Sequence, residues 1–177
     1  MLGLGLSIGV GSTTIPSSPA ASYSDGFFMS GDSAPTVTLS TEASVTDSQS
    51  VTKTNVLKFQ ANQDYGFSYD PKLNLRDGAS SVADSSSATV TFSMLLDSGN
   101  TGNIPSSFTS IQVKAKGGAF VTQNLTTSDI TLGEWTTFSV AVTTGSGNND
   151  IQFDLDHAGS GSIDNGDVIY FHGVSIS

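Results

Sequence analysis

From Tyr23 onward, apolar residues recur with a period of two, in short runs separated by turn-forming residues. Leu57, Phe59 and Ala61 share one phase within Val51–Ala61, and Val90, Phe92 and Met94 do so within Ala88–Leu96. Ile111, Val113 and Ala115 alternate with Gln112, Lys114 and Lys116. The same alternation sets Phe138, Val140 and Val142 inward within Trp135–Thr144, and Ile151, Phe153 and Leu155 inward within Ile151–Asp156. Successive side chains of an extended chain point to opposite faces, so each set predicts a strand with one buried side. Thr36–Leu39, Tyr65–Tyr69 and Phe120–Leu125 add further strands, while Asp77-Gly78, Gly117-Gly118 and Gly147-Asn148-Asn149 supply turns. After Asn165-Gly166 the chain closes on Asp167–Ser177, a run rich in β-branched and aromatic residues that reads as the central strand of a sheet. With no long 3.6-residue period, about nine antiparallel strands predict an all-β fold, a two-sheet antiparallel jelly-roll β-sandwich. The outer faces of both sheets are expected to be polar.

The first residues follow another rule. Residues 1–24 carry no charge, and Leu2, Leu4, Leu6, Ile8 and Val10 alternate with glycine or serine. Large apolar groups then line one face of an extended segment and the other is nearly bare, which lets a second backbone approach closely. Residues 12–22 form a Ser/Thr/Pro/Ala linker kept extended by Pro16 and Pro19. The division predicted is an extended N-terminal arm and linker over 1–22 and a sandwich over 23–177. A secretory leader would place basic residues before a glycine-poor apolar core, and this arm does neither. It is also too short to span a bilayer. The arm is expected to add a strand to a partner or to another copy of the chain, through residues 1–11.

Composition narrows the partners. The 177 residues hold no cysteine, so stability rests on packing. Net charge is −10 at pH 7 and the sequence pI is about 4.1, with no lysine or arginine after Lys116. Such a surface repels phosphate backbones and anionic lipid, which argues against nucleic acid and against membrane insertion.

Three stretches occur in an order that resembles a known family. They are Leu57-Lys58-Phe59-Gln60, then Gly133 to Thr143 with its Gly-Glu-Trp start, then Gly166 to Ser177. Together with Asp25-Gly26-Phe27-Phe28 as an entry strand, they resemble the jelly-roll carbohydrate-binding modules related to the galactose-binding-like fold. The resemblance implies a sandwich and a glycan-binding role, and covers about Tyr23–Ser177. Where the family's closing strand carries an Asp associated with calcium, this chain has His172, a poor ligand for a cation that prefers oxygen. A shorter resemblance links the Met-Leu-Gly-Leu-Gly-Leu start to small structural proteins of tailed bacteriophages.

The candidate chemistry is sparse. Asp154 and Asp156 leave one face of their strand with Gln152 beside them, and Asp164 and Asp167 follow in the next turn. The four acids are candidates for calcium; no other cofactor is indicated. Alternatively Gln152, Asp154 and Asp156 accept hydrogen bonds from sugar hydroxyls, with Tyr65, Tyr69 and Phe120 as an aromatic platform. An outer face in solvent and an ordinary Asp-Asn-Gly turn is the plainest account of the same residues. Glu42 and Glu134, the two glutamates, fall in unrelated contexts, and neither a Gly-x-Ser-x-Gly elbow nor a paired-histidine motif occurs, so no enzyme is expected. The expectation is a non-catalytic virion protein of a phage, a capsid-decoration or tail-associated subunit held by its arm to other virion proteins and displaying its sandwich at the virion surface. The alternative is an extracellular carbohydrate-binding module of a secreted glycan-active protein.

Overall fold

The alternating segments form antiparallel strands in the computed structural model, which describes residues 28–29, 37–64, 71–75, 77–101, 108–124, 129–157 and 163–177. Its strands are β1 (Phe28–Met29), β2 (Val37–Thr46), β3 (Thr52–Ala61), β4 (Pro71–Leu75) and β5 (Ser87–Leu96). They continue with β6 (Phe108–Ala115), β7 (Val121–Asn124), β8 (Thr136–Thr143), β9 (Ile151–His157) and β10 (Val168–Ile176). Two five-stranded sheets result, sheet A in the order β1-β4-β9-β6-β7 and sheet B in the order β2-β3-β10-β5-β8. The closing strand β10 lies in the middle of sheet B, between β3 and β5. Residues 1–22, Tyr65 and Tyr69 lie outside the described residues.

The inward phases meet between the sheets. Phe92 of β5 stacks on Phe138 at 5.2 Å, meets Phe153 of sheet A edge-on at 4.8 Å, and lies 6.3 Å from Phe171. Edge-to-face and offset rings at these separations add to the burial of area itself. Leu57, Phe59, Met94, Leu96, Ile111 and Leu155 complete a core without water-exposed surface of note.

Two features of sheet B depart from strict alternation. In β10, the pairing with β5 shifts between His172 and Ser175, and Gly173 takes a φ of +61°. One extra residue at a bulge reverses the phase of a strand. Ile169 and Phe171 face the core before the bulge, and Val174 and Ile176 face it afterwards. Glycine adopts the required left-handed conformation without a Cβ penalty. The second feature corrects an expectation. The outer face of sheet B is not polar, because Val56, Leu95, Val168 and Tyr170 form a second buried cluster there, with Val45 and Trp135 packed against it. These residues sit next to core residues in runs such as Val56-Leu57 and Leu95-Leu96, so those strands are buried on both sides.

At one end the connections pack backbone against backbone. A Cβ on Gly118 would lie 2.3 Å from Thr143 O, and one on Gly145 would lie 2.4 Å from Lys116 O. Lys116, itself at φ +52°, buries its side chain and pins the 82–84 segment, with Nζ 2.6 Å from Asp84 Oδ1 and 2.9 Å from Val82 O.

Candidate functional site

Because Ile151, Phe153 and Leu155 of β9 and Ile111, Val113 and Ala115 of β6 fill the core, the intervening residues must project from the outer face of sheet A. Register then fixes their neighbours. Gln152 lies between Asn74 of β4 and Lys114 of β6. One step along, Asp154 lies opposite Gln112, which is followed across the sheet by Thr122 of β7. Ser110 pairs with Asn124 and, at the level of the backbone, with Asp156. The middle of sheet A thus presents amides, a carboxylate and hydroxyls in rows.

These groups differ from an ordinary solvated face in their burial. Asp154 is only 7% exposed and Ser110 only 5%, although both point away from the core. Asn74, Gln112, Lys114 and Gln152 around them are half-buried. Asn74 gives Nδ2 to Asp150 Oδ2 at 3.3 Å, while its Oδ1 is shielded and accepts nothing among the described residues. A shielded amide oxygen without a donor is uncommon in folded proteins and is an acceptor ready for an incoming hydroxyl.

An aromatic ring marks one margin. Phe120, in the connection from β6 to β7, is 39% exposed, and the Lys114 ammonium stands 4.3 Å from the centre of its ring. A cation over an aromatic face restrains the ring by electrostatic attraction. Lys114 also neighbours Gln152 in the sheet register, so Phe120 is tied through one residue to the polar rows.

Of the residues singled out from sequence, Gln152 and Asp154 stand on this face, with Phe120 at its margin. Asp156 occupies the next outward register position of β9, its side chain lying outside the described residues, as do Tyr65 and Tyr69. Asn74, Gln112, Lys114 and Ser110 were not singled out. The alternation of Gln112, Lys114 and Lys116 was visible, but the pairing that sets two of them beside Gln152 and Asp154 is a long-range property.

The acids named for calcium are divided. Asp164 and Asp167 share the turn before β10, while Asp154 belongs to the face of sheet A. Asp167 is buried; its Oδ1 accepts from Thr101 N at 2.7 Å and its Oδ2 from Asp164 N at 2.9 Å. Asn100 adds a reciprocal pair, accepting from Val168 N and donating to Val168 O. This network fastens the start of β10 to the turn after β5. Among the described residues, no group of three or more acids or histidines is placed to hold a metal ion.

The remaining candidates belong to sheet B. Trp135 donates its backbone N–H to Asp47 Oδ2 at 3.1 Å, and its ring lies near Lys53 and edge-on to His172. Burial, and then the Lys53 charge, push the His172 imidazole below its usual pKa. Burial raises Tyr170 above the ordinary phenol value, helped by the charges of Asp97 and Glu42. Glu42 pairs with Lys58 at 3.4 Å, and Glu134 accepts from Gln49 Nε2 at 2.9 Å.

Comparison with known proteins adds the fold's relatives. No family model and no curated protein matches the chain. Among solved structures, it is similar to the CBM22-1–GH10 modules of the Clostridium thermocellum xylanase Xyn10B complexed with xylohexaose. Identity is 12%, the TM-score 0.50, and the match covers 95% of this chain and 28% of that one. The likeness is one of fold. The chain shares with it a two-sheet antiparallel jelly-roll β-sandwich. The CBM22-1 xylan-binding domain of Paenibacillus barcinonensis Xyn10C is also similar, at 13% identity and TM-score 0.49 over 94% of this chain and 92% of that one. So is the enzymatically active domain of tailspike protein 4 of bacteriophage CBA120, at 10% identity and TM-score 0.48 over 94% of this chain and 21% of that one.

Proposed function

We propose that this protein is a non-catalytic glycan-binding module whose ligand lies across the outer face of sheet A. The observation that carries the reading is the set of polar groups of Asn74, Gln152, Asp154 and Gln112 brought together on one face by the register, with the exposed ring of Phe120 at its margin. Amide and carboxylate groups hold two acceptors or an acceptor and donors in one plane, which suits neighbouring hydroxyls of a pyranose. An aromatic face supplies apolar contact for the C–H face of the same sugar. Glu42 and Glu134 are each engaged on the sheet B side of the molecule, with Lys58 and Gln49, so the two glutamates do not form a pair facing one bond on this face.

Calorimetric titration with soluble oligosaccharides tests the proposal, beginning with xylohexaose and extending to galactans and host-surface glycans. Binding that is lost in the Gln152→Ala, Asp154→Ala double variant, with the melting temperature retained, supports it. Binding that survives this change would place the ligand elsewhere.

A second reading concerns where the module works. The uncharged alternation of Leu2, Leu4, Leu6, Ile8 and Val10 favours a tethered, assembled protein, and a phage virion subunit that displays the module at the particle surface fits that feature. Stoichiometric copies of the chain in purified particles support this reading, and their absence removes it in favour of an extracellular module.

A further inference from the structure

The two sheets end in edges of different character. At one side stand β1 and β2, and β2 carries Glu42 in an ion pair with Lys58. At the other stand β7 and β8. Charged edge strands resist the addition of a further strand. β8 lacks that protection, since Thr136–Thr143 holds eight residues without a charge, a proline or a register shift. Among the described residues, β5 pairs with one side of β8 and no strand pairs with the other.

The groups offered along that free side follow from the ladder. Thr144 N donates to Ser86 O, so 144 and 86 form a hydrogen-bonded pair in the register that matches Thr143 with Ser87. Hydrogen-bonded and non-hydrogen-bonded pairs alternate in an antiparallel ladder. Val142, Val140, Phe138 and Thr136 therefore bond to β5, and Ala141, Ser139 and Thr137 turn their N–H and C=O groups outward, while Thr143 O in the same phase is covered by the Gly118 backbone. Thr89 agrees with this phase, because it exchanges both of its hydrogen bonds with Ser177 on the β10 side. Beside this row lies a cleft of about 350 Å³, half of its lining apolar (Ala88, Val121, Ala141 and Val142) and half hydroxyl-bearing, from serines and threonines of β5, β8 and the chain end.

We propose that the free edge of β8 accepts residues 2–10 of a second copy of the chain as an added strand. The occupant matches in length, nine residues against eight, and in pattern. Its aliphatic face, Leu2 to Val10, can enter the cleft, while its glycine and serine face presents almost no side chain to the opposite side. Neither partner carries charge, so no ion is desolvated. Donor and acceptor are different segments of the chain, so the exchange either closes reciprocally between two copies or runs on from copy to copy. The inference is independent of the glycan-binding face.

Sedimentation velocity on the full chain and two full-length variants tests it. Leu4→Asp with Leu6→Asp spoils the donor and leaves the acceptor intact. Ser139→Lys with Ala141→Lys spoils the acceptor and leaves the donor intact. The parent is expected to associate with rising concentration and each variant alone to remain monomeric. An equimolar mixture of the two variants is expected to form dimers and stop there, since one donor and one acceptor survive. Ala141→Pro, which removes an outward N–H without touching the ladder to β5, repeats the acceptor test independently. A parent that stays monomeric, variants that associate as the parent does, or a mixture that yields no dimer would each overturn the proposal.

Discussion

The outer faces of the two sheets are built from similar strands and end in opposite states. Sheet A turns out Asn74, Gln112, Ser110, Gln152 and Asp154, groups that hydrogen-bond and are held in rows by the register. Sheet B turns out Val56, Leu95, Val168 and Tyr170, which pack together under Trp135. Shielding apolar side chains contributes to stability, whereas a shielded polar atom without a partner costs free energy. The sheet B face therefore serves the fold, while on the sheet A face Asn74 Oδ1 is shielded and accepts nothing among the described residues.

Substitutions on the two faces should have opposite effects. Leu95→Ala on sheet B should lower stability by about 2–5 kcal/mol, seen in urea unfolding, with glycan affinity unchanged. The Gln152→Ala, Asp154→Ala pair on sheet A should do the reverse, abolishing measurable binding while the unfolding midpoint moves little. A weaker effect is expected at the margin, where Phe120→Ala should reduce affinity about three- to tenfold by calorimetry, the loss of a modest aromatic contact.

Two pH effects belong to the sheet B side. Burial raises the Asp47 carboxyl, yet backbone N–H groups of Trp135, Val51 and Gln49 and the charge of Lys53 outweigh it, so its folded pKa lies below the ordinary carboxylate value. Stability from this group is present above the unfolded pKa of 3.8 and is lost as pH falls through the folded value. Asp47→Asn should lower the melting temperature at neutral pH and flatten its decline below about pH 4. The smallest effect is at His172, whose folded pKa lies below 6.5, so the unfolded chain binds its proton first as pH falls. Melting temperature should drop from about pH 7 to pH 5, and His172→Gln should remove that part of the drop.

The fold was largely legible because the inward phases of β3, β5, β6, β8 and β9 are uninterrupted alternations. β4 was missed: Leu73 and Leu75 alternate with Lys72 and Asn74, but Pro71 at its start reads as a turn. The re-phasing of β10 at Gly173 and the doubly buried pairs Val56-Leu57 and Leu95-Leu96 were written in the sequence too. The bulge reverses the inward phase of β10, and the pairs add apolar residues to the outward phase of β3 and β5, so a search for inward alternation passed over both. Half of the candidate face was visible as Gln152 and Asp154. The other half, Asn74 and Gln112, depends on which strands become neighbours, and local pattern does not contain that information.

Binding on sheet A is checked by titrating isotope-labelled protein with the first oligosaccharide found to bind and following the side-chain amides by NMR. The amide resonances of Asn74, Gln112 and Gln152 should shift together along the binding curve, while the indole of Trp135 stays in place. Shifts confined to Trp135 and its sheet B neighbours, with the three amides unmoved, would contradict it.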